Sequence, residues 1–159
     1  MDEILEILEK NSRISEEEIA LMLGKSVEEV KETIKKLEDE NVIVGYNTLI
    51  NWDKSDRENV TALIEVKVTP QRGQGFDKVA ERIYRYPQVK ACYLMSGGFD
   101  LTVIVEGRNM KEVALFVAEK LAPLESVLST STHFVLKRYK DDGVIFEKQS
   151  SDDREVLIL

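Results

Sequence analysis

Cysteine and histidine are nearly missing from this chain of 159 residues, which holds one of each, Cys92 and His133. A lone cysteine closes no internal disulfide, and one Cys with one His falls short of the four ligands of a standard structural zinc site. No Ser-His-Asp set, phosphate loop or metal motif is visible either, so no catalytic residue, metal ligand or cofactor is expected. Cys92 reads as a buried thiol in a strand and His133 as a sheet residue. Long apolar runs are lacking as well. None approaches the roughly 18 to 20 residues needed to cross a bilayer, and three acids among the first six residues are unlike the basic start of a secretory signal. A cytoplasmic protein without a membrane partner is expected.

Positive charge is scarce, and its distribution says more than the net charge of -8. Residues 1 to 50 carry thirteen acids against six bases, a net of -7, while the remaining seventeen acids and sixteen bases nearly cancel. Binding to phosphates needs Lys and Arg to displace counterions, so the first third is poorly suited to tight, nonspecific binding of nucleic acid. What is present is globular composition, 43% hydrophobic and 33% charged, in a length that allows one large domain or two small ones.

The first fifty residues read as three helices. Ile4, Leu5, Ile7 and Leu8 repeat at helical spacing over Asp2 to Asn11. Ser15 followed by Glu18 is a capping box that opens a second helix through Ile19, Ala20, Leu21 and Leu23, and Gly24 is placed to close it. Ser26 with Glu29 starts a third, whose stripe of Val27, Val30, Ile34 and Leu37 runs to about Asn41. A short strand pair, Val42 to Val44 and Asn47 to Ile50, is expected next around Gly45-Tyr46. Two helices joined by a tight Gly-containing turn and followed by such a pair make a winged helix-turn-helix.

Asn51 to Asn59 is polar apart from Trp52 and reads as a linker. Val60 to Thr69 then alternates, with Ala62, Ile64, Val66 and Val68 on one face and Glu65 and Lys67 on the other, and Pro70 ends it. Gln71 to Gly75 reads as a loop. Phe76, Val79, Ala80 and Ile83 mark a helix before Pro87. Val89 to Met95 and Leu101 to Val105 are strand-like around the Gly97-Gly98 turn, and Met110, Val113, Ala114, Val117, Ala118 and Leu121 mark another helix. Val127 to Tyr139 is the last strand. The order β-α-β-β-α-β is the ferredoxin-like split βαβ, which makes the whole chain α+β: a winged helix-turn-helix over 1–50, a linker over 51–59, a ferredoxin-like domain over 60–140 and a tail over 141–159. Its antiparallel sheet leaves one apolar face that a partner subunit is expected to cover.

The 95–100 segment has a second reading beyond that of a turn. The amides of Gly97 and Gly98 can approach a carboxylate closely, and Asp100 beside them can accept from an ammonium, a pairing that suits an α-amino acid. Met95, Ser96, Gly97, Gly98, Phe99 and Asp100 are therefore candidate effector residues, with hydroxyls from Thr130, Ser131 and Thr132 on a neighbouring strand.

The span from Ile4 to Ile50 resembles the DNA-binding domain of the leucine-responsive and asparagine-type (Lrp/AsnC) regulators. The second half is similar to their ligand-sensing domain through Val89-Lys90-Ala91-Cys92-Tyr93, Ser96-Gly97-Gly98-Phe99-Asp100, and Thr130-Ser131-Thr132 leading to Lys137-Arg138-Tyr139. Asp152 to Leu159 resembles the closing strand-like segment of some members. The resemblance implies a transcriptional regulator that binds double-stranded DNA. It implies homodimers paired through the second domain and often built into octamers, with amino-acid effectors in clefts between dimers. The chain departs from that pattern where basic residues commonly stand in the recognition helix, having Glu32 and Thr33 there and Glu28 and Glu29 near its first turn. Lys25, Ser26, Lys31, Thr33, Lys35 and Lys36 remain as residues to meet DNA. Glu28 with Lys31, and Glu32 with Lys35 or Lys36, stand three or four apart and are expected to pair. Weak DNA affinity, raised by the avidity of an oligomer, follows. Two competing readings are a non-DNA-binding oligomeric sensor, favoured by the acidic first third, and an enzyme similar to the sirohaem decarboxylases, disfavoured by the single histidine.

Overall fold

A computed structural model describes residues 2–69 and 75–146. The chain divides into two compact units, the first ending at Ile50 and the second beginning at Asn51.

The first unit holds α1 (Asp2–Lys10), α2 (Glu16–Leu23) and α3 (Val27–Asp39). Local chemistry sets their ends. Ser15 Oγ accepts the Glu18 N–H at 3.2 Å and the Glu18 carboxylate accepts the Ser15 N–H at 3.0 Å, a reciprocal box that satisfies two helix-end donors. Gly24 takes a left-handed φ of 65° and lets the Lys25 N–H reach back to Ala20 O at 3.0 Å. α3 closes the same way around Asn41, φ 55°, with the Val42 N–H on Leu37 O at 2.9 Å. Ile4, Ile19, Ala20 and Val30 form the core, with Leu8, Ile14, Leu23 and Ile34 packed against it.

One apolar residue of α2 stands outside this core, and one expectation for the unit is overturned. Leu21 is 85% exposed. It stands two residues from both Ile19 and Leu23, about 200° around a helix of about 3.6 residues per turn, so it points away from the core they enter. The strand pair at Val42 to Val44 and Asn47 to Ile50 is missing, since residues 42–50 form no strand. So short a two-stranded ribbon needs a surface to pack on, yet Val42, Val44, Leu49 and Ile50 are exposed. Tyr46 bonds back to α3 instead, its hydroxyl donating to Glu38 at 2.8 Å.

The second unit begins with a 3-10 turn, Trp52–Lys54, inside the expected linker, and the Arg57 guanidinium lies 4.5 Å above the Trp52 ring. There follow β1 (Val60–Val68), α4 (Asp77–Tyr84), β2 (Val89–Leu94), β3 (Leu101–Gly107), α5 (Met110–Phe116) and β4 (Val127–Phe134). The sheet order is β2-β3-β1-β4, antiparallel throughout, the ferredoxin-like arrangement. Register puts Ala62 opposite Val105, Ile64 opposite Val103 and Val66 opposite Leu101. These six buried side chains share one face and meet Val79 and Ile83 from α4 and Val113, Phe116 and Leu121 from α5 and the turn that follows it, on the same side of the sheet. Phe116 packs edge-on against Tyr86 at 5.4 Å, while Met110, at the start of the same helix, is 53% exposed. After Phe116 the helix widens to a π turn, Val117–Leu121, closed by the Ala122 N–H on Val117 O at 2.8 Å. On the reverse face Leu63 and Ile104 lie opposite each other, ringed by Glu65, Tyr93, Ser131 and His133.

β4 ends at Phe134, five residues before the expected Tyr139. The Val135 N–H still reaches Thr61 O at 2.9 Å, but β1 starts at Val60 and offers no partner beyond. The chain then turns back in a tight hairpin of β5 (Lys140–Asp141) and β6 (Val144–Ile145) around Asp142 and Gly143, both at positive φ. The expected loop at 71–74 and the strand-like tail from Asp152 to Leu159 lie outside the described residues.

Candidate functional site

Six residues of the first unit were expected to meet DNA, and the structure gives five of them other partners. Ser26 Oγ accepts the Glu29 N–H at 3.2 Å and caps α3. Thr33 Oγ1 donates to the Glu29 carbonyl at 2.8 Å, a bond back along its own helix. Lys25 is paired with the Glu29 carboxylate, which holds its ammonium above the ordinary lysine range. Lys35 bonds Asp39 at 3.0 Å, with the same effect on its ammonium, and Lys36 reaches Glu40 at 3.8 Å. Lys31 alone of the six makes no ion pair or hydrogen bond among the described residues.

The pairing thus differs from the one expected. Each lysine takes a carboxylate four residues further on, so neither Glu28 with Lys31 nor Glu32 with Lys35 or Lys36 forms. Glu29 also does not complete a second capping box, because Lys25 takes its carboxylate. The consequence is a recognition face whose unengaged polar groups are Glu28, Lys31 and Glu32, all exposed, with Glu28 about one helical turn before the other two. Sequence reasoning counted the two glutamates as losses; their spacing with Lys31 was the signal that they share a face.

In the second unit the β2–β3 connection runs from Met95 to Asp100, and the Met95 N–H donates to Asp100 O at 2.8 Å. Gly97 has a φ of 141°, a conformation that favours glycine, while Gly98 does not need positive φ as expected. A Cβ built on either glycine would meet nothing within 4 Å, so their backbone faces open space. Asp100 is held from both sides of its Cα. Its N–H donates to Val66 O at 3.1 Å and its Oδ2 accepts the Val68 N–H at 2.8 Å, beside the break in register between Lys67 and Val68. That anchoring role was not visible in the sequence, since the contact joins residues 32 apart.

Thr130, Ser131 and Thr132 do not act as one group. Thr130 and Thr132 pair with Val66 and Ile64 and share their helix-covered face, whereas Ser131 pairs with Glu65 on the reverse face. There Ser131 Oγ lies 3.3 Å from His133 Nε2, and Glu65 stands 3.7 Å from the same nitrogen. Both contacts fall on one ring nitrogen, which is unlike a catalytic relay, where base and orienting acid use different nitrogens. Thr130 is the member nearest the loop, since Val66 lies between it and Leu101. Cys92 faces the helical layer opposite Val103, and burial pushes its thiol up. At the far end of the sheet a cleft of about 290 Å³ is lined by Arg57, Gln88, Lys90, Glu106, Arg108 and Glu112, residues the sequence reading did not single out. No group of three metal-ligating side chains occurs among the described residues, nor does a helix there have the length and apolar character to cross a membrane.

Comparison with known proteins agrees with this geometry. Residues 61–145 match the Lrp/AsnC ligand-binding domain and residues 3–44 a winged helix-turn-helix DNA-binding domain. The chain is 56% identical to YugG of Bacillus subtilis, an HTH-type transcriptional regulator, over 98% of this chain and 94% of that one. Among solved structures, a transcriptional regulator of Neisseria meningitidis in complex with L-methionine superposes with a TM-score of 0.72 at 24% identity, covering 87% of this chain and 89% of that one. AsnC of Escherichia coli does so with a TM-score of 0.66 at 20% identity, covering 86% and 89%.

Proposed function

The chain belongs to the Lrp/AsnC family of DNA-binding transcriptional regulators, and from that premise we propose that it answers to an amino acid bound at the 95–100 loop of its ligand-binding domain. The observation that carries this reading is the open backbone at Gly97 and Gly98 beside the Asp100 carboxylate. Glycine amides without a covering side chain suit a ligand carboxylate, and the Asp100 oxygen not held by Val68 can take its ammonium. Met95, Ser96 and Phe99 shape the rest of the turn, and Thr130 adds a hydroxyl from the adjacent strand. Thr132 and Ser131 contribute less, one lying deeper along the helix-covered face and the other on the reverse face. The similar regulator solved with L-methionine supports a ligand of this class.

On the DNA side, Lys31 meets the duplex directly, while Lys25, Lys35 and Lys36 exchange carboxylates for phosphates. Ser26 and Thr33 act by position, their hydroxyls being engaged in α3. The assembly is a homodimer or larger, joined over the Leu63 and Ile104 face, and an octamer of such dimers supplies the avidity that a weakly basic helix needs. The divisions of labour are 1–50 for DNA, 51–59 for connection, 60–140 for ligand and assembly, and 141–159 as a tail. The protein is a regulator without catalytic activity, acting on cytoplasmic DNA.

Calorimetry with the common amino acids, paired with light scattering in their presence and absence, tests both parts. Binding of at least one amino acid by an oligomer is expected. A stable monomer at micromolar concentration that binds none would overturn the reading.

A further inference from the structure

The recognition face of α3 presents acceptor, donor and acceptor in sequence: Glu28, Lys31 and Glu32. None has a hydrogen-bond or ion-pair partner among the described residues; Glu28 and Glu32 lie opposite the buried Val30 and Leu37, with Lys31 on the flank beside them. The cations that would ordinarily clamp phosphates are matched one turn on, by Glu29, Asp39 and Glu40. A helix that enters the major groove by its first turns would bring two unpaired carboxylates to the base edges. Left unmatched there, they would oppose binding.

The groove offers matching donors of two kinds, the N4 amino group of cytosine and the N6 amino group of adenine. Adenine sets its N7 acceptor beside the donor, where a carboxylate is repelled, whereas cytosine presents its amino group without an acceptor on the same base. Lysine suits guanine, whose O6 and N7 are both acceptors. Glu28 and Glu32 stand about 6 Å apart along the helix at about 1.5 Å per residue, close to two base-pair steps of about 3.4 Å.

We propose that α3 reads its operator through acceptors: Glu28 and Glu32 each take a cytosine N4–H, and Lys31 between them donates to a guanine, within about three consecutive C·G or G·C pairs. This rests on the chain's being a DNA-binding regulator and adds which bases it prefers. The two glutamates are specificity-determining residues, and the unusual acidity of the helix serves selection at the expense of affinity.

The experiment selects the full-length protein on a randomised duplex pool at low salt, then measures binding of the winning duplex and its single-pair variants by fluorescence anisotropy. Wild type is expected to enrich a C·G-bearing core and to lose roughly ten- to hundredfold in affinity when one of its cytosines is replaced. Glu28→Gln and Glu32→Gln are each expected to move the preference at one position from C·G toward A·T, because glutamine suits adenine N6 and N7. Both sites are exposed, and circular dichroism confirms that each variant is folded. If selection succeeds but the glutamine variants keep the wild-type preference, or if both tighten on every sequence alike, acceptor readout is overturned while DNA binding stands. If no duplex is bound at low salt, the regulator reading falls, and this inference with it.

Discussion

The Asp100 carboxylate accepts the backbone N–H of Val68 at 2.8 Å, joining the end of the β2–β3 turn to the end of β1 across 32 residues of sequence. Removing the acceptor leaves a partly buried amide without a partner, so Asp100→Ala is expected to destabilise the second unit by about 1 to 3 kcal/mol. Asp100→Asn keeps an acceptor oxygen and should cost less. If the other carboxylate oxygen holds an ammonium, the asparagine variant also loses about 10- to 150-fold in amino-acid affinity, since a charge-assisted bond is worth roughly 1.5 to 3 kcal/mol. Denaturant melts separate the first effect from the second, which calorimetry reads. Equal affinity in wild type and Asp100→Asn would leave the carboxylate an anchor only.

The second prediction concerns salt. With three of its five lysines carried in ion pairs, the DNA-binding unit exchanges partners on binding and releases few counterions. The slope of log K against log salt should be shallow, about -1 to -3 per subunit. Lys36→Ala, which removes a cation placed to exchange Glu40 for a phosphate, should reduce it by up to about one unit on every sequence. A slope unchanged in Lys36→Ala would place phosphate contact elsewhere.

The third concerns acid. The Arg108 backbone N–H, donating at 2.7 Å, holds the Glu112 carboxyl below its ordinary 4.5. A carboxyl depressed in the folded state adds stability that is present above its unfolded value and lost as pH falls through the folded one. Wild type and Glu112→Gln should therefore differ most in melting temperature above the ordinary 4.5 and converge as pH falls through the lower value of the folded state. A difference that grows on acidification would contradict the sign.

The fourth concerns Cys92, the lone thiol, which sits among core side chains opposite Val103. Burial raises its pKa, so less thiolate exists at a given pH. Maleimide labelling at pH 8 should be slow in the folded protein and approach the rate of a free thiol, pKa about 8.5, in denaturant. Labelling at the free rate in the native state would mean that β2 opens.

Much of the fold is legible in the chain because local and global signals agree. The alternation in β1 correctly assigns Ala62, Ile64, Val66 and Val68 to the core, and Ser15, Gly24 and Ser26 mark helix ends by their hydrogen bonds. Errors gather where a partner decides. The strand pair expected over 42–50 has no surface to pack on, and β4 stops where β1 runs out. The candidate sites were less legible still. Lys25 and Glu29 are four apart, as are Glu32 and Lys36, and spacing alone does not say which carboxylate a lysine chooses. The Asp100 contact has no local signature at all.

β1, nine residues long, is bonded along one edge to β3 over Val60 to Val66 and along the other to β4 over Ala62 to Val68. Its Val68 end is fastened to Asp100, and its Val60 end continues the chain that leads back to Ile50 and the first unit. A strand of this length spans roughly 26 Å at about 3.3 Å per residue, and with both flanks locked it can neither stretch nor slip. It is in effect a splint within its own unit: a ligand that shifted the turn carrying Asp100 would have to carry β3 and β4 along with β1 rather than bend one strand alone.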